Sequence, residues 1–273
     1  MRKSILFFFV TLASAVYAQD FEGTIAWHIK ADIKDPKMKT QMEQAQKQLN
    51  DPATEKKMKE MRAQMEDPQF KAMMESNPQM KAQMEKMTTL AAGGNVYDMI
   101  PKSMMVKIKN GNALTKMDGG MLSGEVLYLK DGGMSYHIDR ENKTYSVLDK
   151  KGEDNRSSKT TVTRTGEVEK ILGYSCYQYK VEIPEKGKTI THWIWATPEI
   201  KGFDMKGFNA ADGRGNRSSY YSEIEGVPLK MEIIMPEMDM TMEAASVKKE
   251  SLPAGDFVVP SGFREVKGMF GSR

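Results

Sequence analysis

Cysteine is almost absent: Cys176 is the single one in 273 residues. One thiol cannot close an internal disulfide, so a chain of this kind must be stabilised by its core. Histidine is nearly as scarce. His28, His137 and His192 are scattered, each inside a predicted strand, and read as solvated or core-edge residues. There is no G-x-S-x-G elbow, no H-E-x-x-H helix and no phosphate-binding glycine loop, so no enzyme signature is present and no cofactor is expected. A charge excess is missing as well. The formal net charge is +3, and without Arg2 and Lys3 it is +1. Near-neutrality argues against a nucleic-acid partner. After residue 18 no run is long and apolar enough to span a bilayer.

The first eighteen residues have the pattern of a secretory signal. Arg2 and Lys3 form a positive start, Ile5 to Leu12 an apolar core, and Val16-Tyr17-Ala18 a small-residue cleavage site. Gln19 then begins the mature chain, and with no Cys there, no lipid anchor is expected at that point. The localisation expected is periplasmic or secreted. About 255 residues remain, enough for a core without staples.

Methionine is what the chain has in abundance. A unit repeats between residues 35 and 87, starting at Asp35-Pro36, Asp51-Pro52, Asp67-Pro68 and Asn77-Pro78. Seven residues after each start stands Met42, Met58, Met74 or Met84. Further members fall at steps of three and four, including Met38, Met61, Met65, Met80 and Met87, which places them on one helical face. Asp or Asn before Pro caps a helix start, and Pro in the first turn forfeits no hydrogen bond. The prediction is a series of short capped helices with a methionine face and alternating Lys and Glu on the solvated side. Such pieces are not stable alone and need an apolar surface to lie on.

Elsewhere the pattern is short alternating runs divided by turn residues. Strands are expected at Phe21–Ala31, Met104–Lys109, Glu125–Lys130, Met134–Ile138 and Thr144–Leu148. In the second half they are expected at Thr160–Arg164, Glu167–Ile171, Ser175–Ile183, Thr189–Ala196, Ser218–Glu225, Leu229–Met235 and Met238–Val247. Phe257 to Phe263 reads as a segment that docks and closes the domain.

Ile171-Leu172-Gly173-Tyr174-Ser175-Cys176-Tyr177-Gln178-Tyr179 followed by Trp193-Ile194-Trp195-Ala196-Thr197-Pro198-Glu199-Ile200 resembles the "LGY-x-C-x-x-Y … W-x-T-P-E-I" pattern of the domain-of-unknown-function family 4412, exported bacterial proteins. The order of these segments, with Phe257 to Phe263 closing, is more distantly similar to the LolA-like envelope carriers. That resemblance implies a half-barrel with helices over an apolar cavity for acyl chains, and it carries over no site residue. The repeats themselves resemble the Asn-Pro/Met repeats of ubiquilin-type co-chaperones, whose short helices form a groove for hydrophobic segments.

The expected architecture is therefore α+β: one domain over 19–273, a large curved antiparallel sheet of LolA-like half-barrel type, with a Met-rich helical insertion at 35–92 after the first strand. The helices would lie over or beside the concave side. The expected function is non-enzymatic binding of a hydrophobic or amphiphilic ligand: a lipid, a lipoprotein acyl chain or an apolar peptide segment. Met58, Met61, Met65, Met74, Met80, Met84 and Met87 are the candidate lining, because methionine is flexible, polarizable and suited to varied apolar partners. Trp193 and Trp195 share one side of a strand and either line the cavity or fill the core. Cys176, without a positive neighbour, reads as a small buried hydrophobe more readily than as a nucleophile.

Two alternatives stand beside this. Thioether sulfur selects Cu(I), and Met235, Met238, Met240 and Met242, like Met58/Met61/Met65 and Met80/Met84/Met87, have spacings that bring sulfurs together. Alternatively the helices are structural and pair with another copy or another envelope protein. The sequence sets no oligomeric state.

Overall fold

The computed structural model describes residues 20–70, 84, 88, 90, 94–120, 125–148, 160–185, 187–203 and 219–266. The expected export signal at 1–18 lies outside the described residues, as do Met74, Met80 and Met87 and the side chain of Met65.

Among the described residues twelve strands make one sheet. They are β1 (Gly23–Ile33), β2 (Pro101–Lys109), β3 (Asn112–Gly119), β4 (Glu125–Leu129), β5 (Met134–Asp139), β6 (Thr144–Leu148), β7 (Thr161–Ile171), β8 (Tyr174–Glu185), β9 (Lys188–Thr197), β10 (Val227–Ile234), β11 (Met238–Lys249) and β12 (Arg264–Glu265). The spatial order is β12-β6-β5-β4-β3-β2-β1-β11-β10-β9-β8-β7. Every neighbouring pair is antiparallel except β12 beside β6. The first strand thus sits in the middle. The chain leaves it outward through β2 to β6, begins again at the far edge with β7, and works back through β8 to β11.

That route requires the sheet to coil. Thirteen residue steps separate Leu148 from Thr161, a reach of about 45 Å at full extension. The ten strand spacings between β6 and β7 would span about 48 Å if flat. Accumulated strand twist bends so wide a sheet in any case. The two edge strands, β12 and β7, are not paired with each other, so the sheet is open.

Local sequence explains the joints. Asn110 and Gly111, between β2 and β3, both have positive φ (53° and 77°), as a tight hairpin turn requires. Gly226, at φ +96°, lies so close to the Thr197 carbonyl that a β-carbon would collide with it. The stretch read as two strands, Thr160–Arg164 and Glu167–Ile171, is the single strand β7, with a register shift between Arg164 and Val168. Gly166, at φ +91°, absorbs the irregularity. The expected strand at Ser218–Glu225 is instead a 3-10 turn, Ser219–Glu223. Tyr220 and Tyr221 are adjacent and both buried (5% and 7% exposed); a strand would send neighbours to opposite faces.

Among the described residues β1 is followed by α1 (Pro36–Leu49) and α2 (Pro52–Met65). Asp35 Oδ1 accepts from the Lys37 N–H and Asp51 Oδ1 from the Ala53 N–H, both at 2.7 Å, with Pro36 and Pro52 in the first turns. At the third repeat Asp67 accepts from the Gln69 N–H at 2.9 Å. Met38, Met42, Ala45 and Leu49 of α1 are partly buried, as are Thr54, Met58 and Met61 of α2. Gln46 ties α1 down by donating to the Gly94 carbonyl (3.0 Å) and accepting from the Val96 N–H (2.7 Å).

After β11 the chain crosses the sheet as a strap. Lys109 donates to Glu22 (2.8 Å) and to the Leu252 carbonyl (2.5 Å), the Leu252 N–H donates to Glu22 (2.6 Å), and Lys107 pairs with Asp256 (2.7 Å). The lysine hydrogen bond holds the Glu22 carboxyl below its ordinary pKa. Leu252, Phe257, Val259 and Phe263 then pack on Leu114, Leu127 and Ile138 as a second core.

Candidate functional site

Directly paired residues in an antiparallel ladder share a face, so the register assigns each side chain to one side of the sheet. On what we call the inner face stand Ile190, His192, Ile194 and Ala196 of β9, with Met231 and Ile233 of β10. Beside them are Met238, Met240, Met242 and Ala244 of β11, and Ile25, Trp27, Ile29, Ala31 and Ile33 of β1. Met104, Val106 and Ile108 of β2, and Ala113, Thr115 and Met117 of β3, continue it. No Lys, Arg, Asp or Glu occurs among these positions; on the same face of the six strands Lys188 and Lys249 stand at strand ends, Lys188 paired with Glu237 at 3.1 Å. The charges of the same strands, among them Lys30, Asp32, Lys107, Lys230, Glu232 and Glu243, take the alternate positions on the outer face.

Burial grades along the strands. Ile25, Val106, Ile108, Ile194 and Ala196 are fully enclosed, and Trp27 is 1% exposed. Towards the turn between β10 and β11, Ile29, Ala31, Ile233, Met238, Met240 and Met242 are only partly covered. At this end the Lys34 and Asp35 N–H groups donate to the Glu237 carbonyl (2.9 and 3.1 Å), which joins the start of α1 to that turn. The inner face therefore has a closed end and a half-open end, and the half-open end carries three methionines of one strand.

One polar side chain with a titratable nitrogen stands among these residues. His192 Nδ1 lies 2.9 Å from the Tyr220 hydroxyl, and the two rings meet edge to face at 5.8 Å between centroids. Burial pushes the His192 pKa down to about 4, so the ring is neutral at neutral pH. Tyr220, Tyr221 and Ile224, all buried, bring the 3-10 turn into the main core. His192 was read as an ordinary strand residue. The signal that identifies it is the alternation of Thr191 to Ala196, which puts His192 with Ile194 and opposite Trp193 and Trp195.

Those two tryptophans do not join the methionine surface. Trp195 pairs with Lys230 and Trp193 with Glu232, on the outer face. Lys230 Nζ sits 4.2 Å from the Trp195 ring centroid and 3.2 Å from Glu169, while Lys180 Nζ is 5.7 Å from Trp193. This is an aromatic and ionic ladder within the sheet. Cys176 is fully buried, its thiol pushed up to about 11 by burial, which removes the thiolate that nucleophilic chemistry needs.

Of the repeat methionines, Met58, Met61 and Met84 are partly buried. Of the four methionines weighed as copper ligands, Met235 lies in the hairpin turn, where its N–H donates to the Met238 carbonyl (3.2 Å). Met238, Met240 and Met242 share the inner face, and their direct partners on β1 are Ile33, Ala31 and Ile29. Among the described residues no group of three or more His, Cys, Asp or Glu is arranged to hold a metal ion. No helix among them is long and apolar enough to cross a membrane.

The model of a domain of unknown function, DUF4412, matches residues 87–263. No curated protein matches the chain. Among solved structures, PNGF-II is similar with a TM-score of 0.37 at 14% identity, over 61% of this chain and 28% of that one. The chain thus spans well under a third of PNGF-II. The Mycobacterium tuberculosis lipoprotein LppX gives a TM-score of 0.29 at 10% identity, covering 85% of this chain and 89% of its own. LprF from Mycobacterium bovis gives 0.25 at 12%, over 57% and 81%.

Proposed function

We propose that this protein, which belongs to the DUF4412 family, is an exported, non-enzymatic carrier that holds a hydrophobic or amphiphilic ligand against the inner face of its sheet. The observation that carries the reading is the apolar surface spanning six strands, with Lys188 and Lys249 only at strand ends, whose Met238–Met240–Met242 end is only partly covered. A site for an apolar ligand is concave and mostly apolar, with few polar groups to orient the guest. The inner face has that chemistry, and we take it as the concave side of the coiled sheet.

The capped helices are the movable cover in this proposal. Their partly buried Met38, Met42, Met58 and Met61 are adaptable side chains. α1 starts beside the half-open end, held there by Asp35 and Gln46 rather than by a fully buried face. Elements held by so little burial open at low cost.

Uptake of a neutral fluorescent lipid probe tests this. Replacing Met240 and Met242 together with Asp puts two charges on the inner face and is expected to reduce uptake at least about tenfold, with far-UV circular dichroism unchanged. Retained uptake in a folded double variant would remove the inner face from the proposal.

A further inference from the structure

We infer that His192 is the polar anchor of the inner face, and that the ligand it selects is an uncharged amphiphile: an apolar chain ending in a hydrogen-bond acceptor such as an acyl ester. This deepens the carrier reading and rests on it.

The inference starts from what surrounds the ring. The direct inner-face neighbours of His192 are Val181 on β8 and Ile233 on β10. Along its own strand the same face continues with Ile190 and Ile194. Met240 lies one strand beyond Ile233 in the same row. The imidazole is thus a polar group set in an apolar surface, close to its half-open end.

Its orientation is fixed from the other side. Tyr220 engages Nδ1 at 2.9 Å, and the edge-to-face contact holds the ring plane. The greater acidity of a phenol over a neutral imidazole favours the Tyr220 O–H as donor and Nδ1 as acceptor, the direction the inference takes. The ring proton then resides on Nε2, which makes no hydrogen bond to the described residues. A donor fixed in this way by a second residue suits a carbonyl acceptor.

Charge decides the ligand class. A phosphate, sulfate, carboxylate or ammonium brought beside His192 would lose its water and find no counter-ion among Val181, Ile190, Ile194, Ile233 and Met240, and Lys188, on the same face at the start of β9, is already paired with Glu237 at 3.1 Å. His192 offers no compensating charge either, since burial keeps it neutral. An ester loses little hydration and gains one hydrogen bond.

The test uses the mature protein with N-phenyl-1-naphthylamine as an uncharged apolar dye. Three amphiphiles of equal chain length displace it: a monoacylglycerol, an alkyl sulfate and an alkyltrimethylammonium. The monoacylglycerol is expected to displace the dye at about tenfold lower concentration than either ion. His192→Phe is expected to remove about five- to tenfold of the monoacylglycerol affinity while dye affinity stays within about twofold. Tyr220→Phe keeps the ring packing and shifts the preference in the same direction, so it carries the test if His192→Phe does not fold. Equal potency of the ions, or an unchanged preference in both folded variants, overturns the inference and leaves the carrier reading standing. Failure of the wild-type protein to bind the dye or any amphiphile overturns both.

Discussion

The indole N–H of Trp27 donates to the carbonyl of Pro228 at 3.1 Å, across the whole width of β11. The two residues lie on β1 and β10, and the direct partner of Trp27 on the strand between them is Ala244. A small side chain there lets the indole pass. On β10 the register shifts between Pro228 and Lys230, and on β11 between the partners of Ala26 and Trp27. The hydrogen bond thus fastens three strands at the point where two bulges interrupt the ladder.

Trp27→Phe keeps most of the apolar area and leaves a buried carbonyl without its donor. The expected loss is about 2 kcal/mol, and Trp27→Ala is expected to cost about 3–5 kcal/mol. Urea unfolding monitored by circular dichroism checks both. A change below a few tenths of a kcal/mol for Phe would show that the indole donor is dispensable.

The His192 contribution depends on pH with a defined sign. Its pKa falls from 6.5 in the unfolded chain to about 4 in the folded one. The unfolded state therefore binds the proton first. The contribution is complete above pH 6.5 and is lost as pH falls from there to about 4, by up to about 3 kcal/mol in total. His192→Phe should flatten that part of the stability profile. A wild-type profile with no slope in this window attributable to His192 would contradict its buried, neutral state.

Cys176 should be inert while the protein is folded. With a thiol pKa of about 11 and no exposed surface, it is expected to resist Ellman's reagent at about pH 8 and to react at once in guanidinium. Rapid labelling of the native protein would mean that this part of the sheet opens.

Removal of Phe257 tests the strap. This side chain is 5% exposed and lies in the second core with Leu114, Leu127 and Ile138. Phe257→Ala is expected to cost about 3–5 kcal/mol and to increase protease sensitivity near the C-terminal strand β12 before the main core is affected. Simultaneous loss of both cores would show that the strap is part of a single cooperative unit.

Much of the sheet was legible because alternation and turn chemistry are local. Asn110-Gly111 marks its hairpin by the positive φ that both residues adopt. Phe257 to Phe263 reads as a docking segment because its aromatic and branched residues have no helical or strand period of their own. The Asp-Pro starts are legible for the same reason: the cap is made by residues two apart. What was not legible is set by partners. A strand's alternation says which residues go together and not which face they take, so Trp193 and Trp195 could be grouped, with cavity lining and core filling both open. The register pairs them with Glu232 and Lys230 on the face away from the methionines, where Trp195 is buried in the main core and Trp193 packs against it. Ser218–Glu225 has the aromatic and branched content of a strand, and the joint burial of the adjacent Tyr220 and Tyr221 belongs to a turn. β12 is two residues long and has no sequence signature; its pairing with Thr144 and Tyr145 follows from where the strap ends.

The most direct measurement is native mass spectrometry of the protein purified from the cells that make it. The carrier reading predicts extra mass of several hundred daltons that disappears on denaturation and is absent from the Met240→Asp, Met242→Asp double variant. A clean apo mass, or increments of copper removed by a Cu(I) chelator, would contradict it.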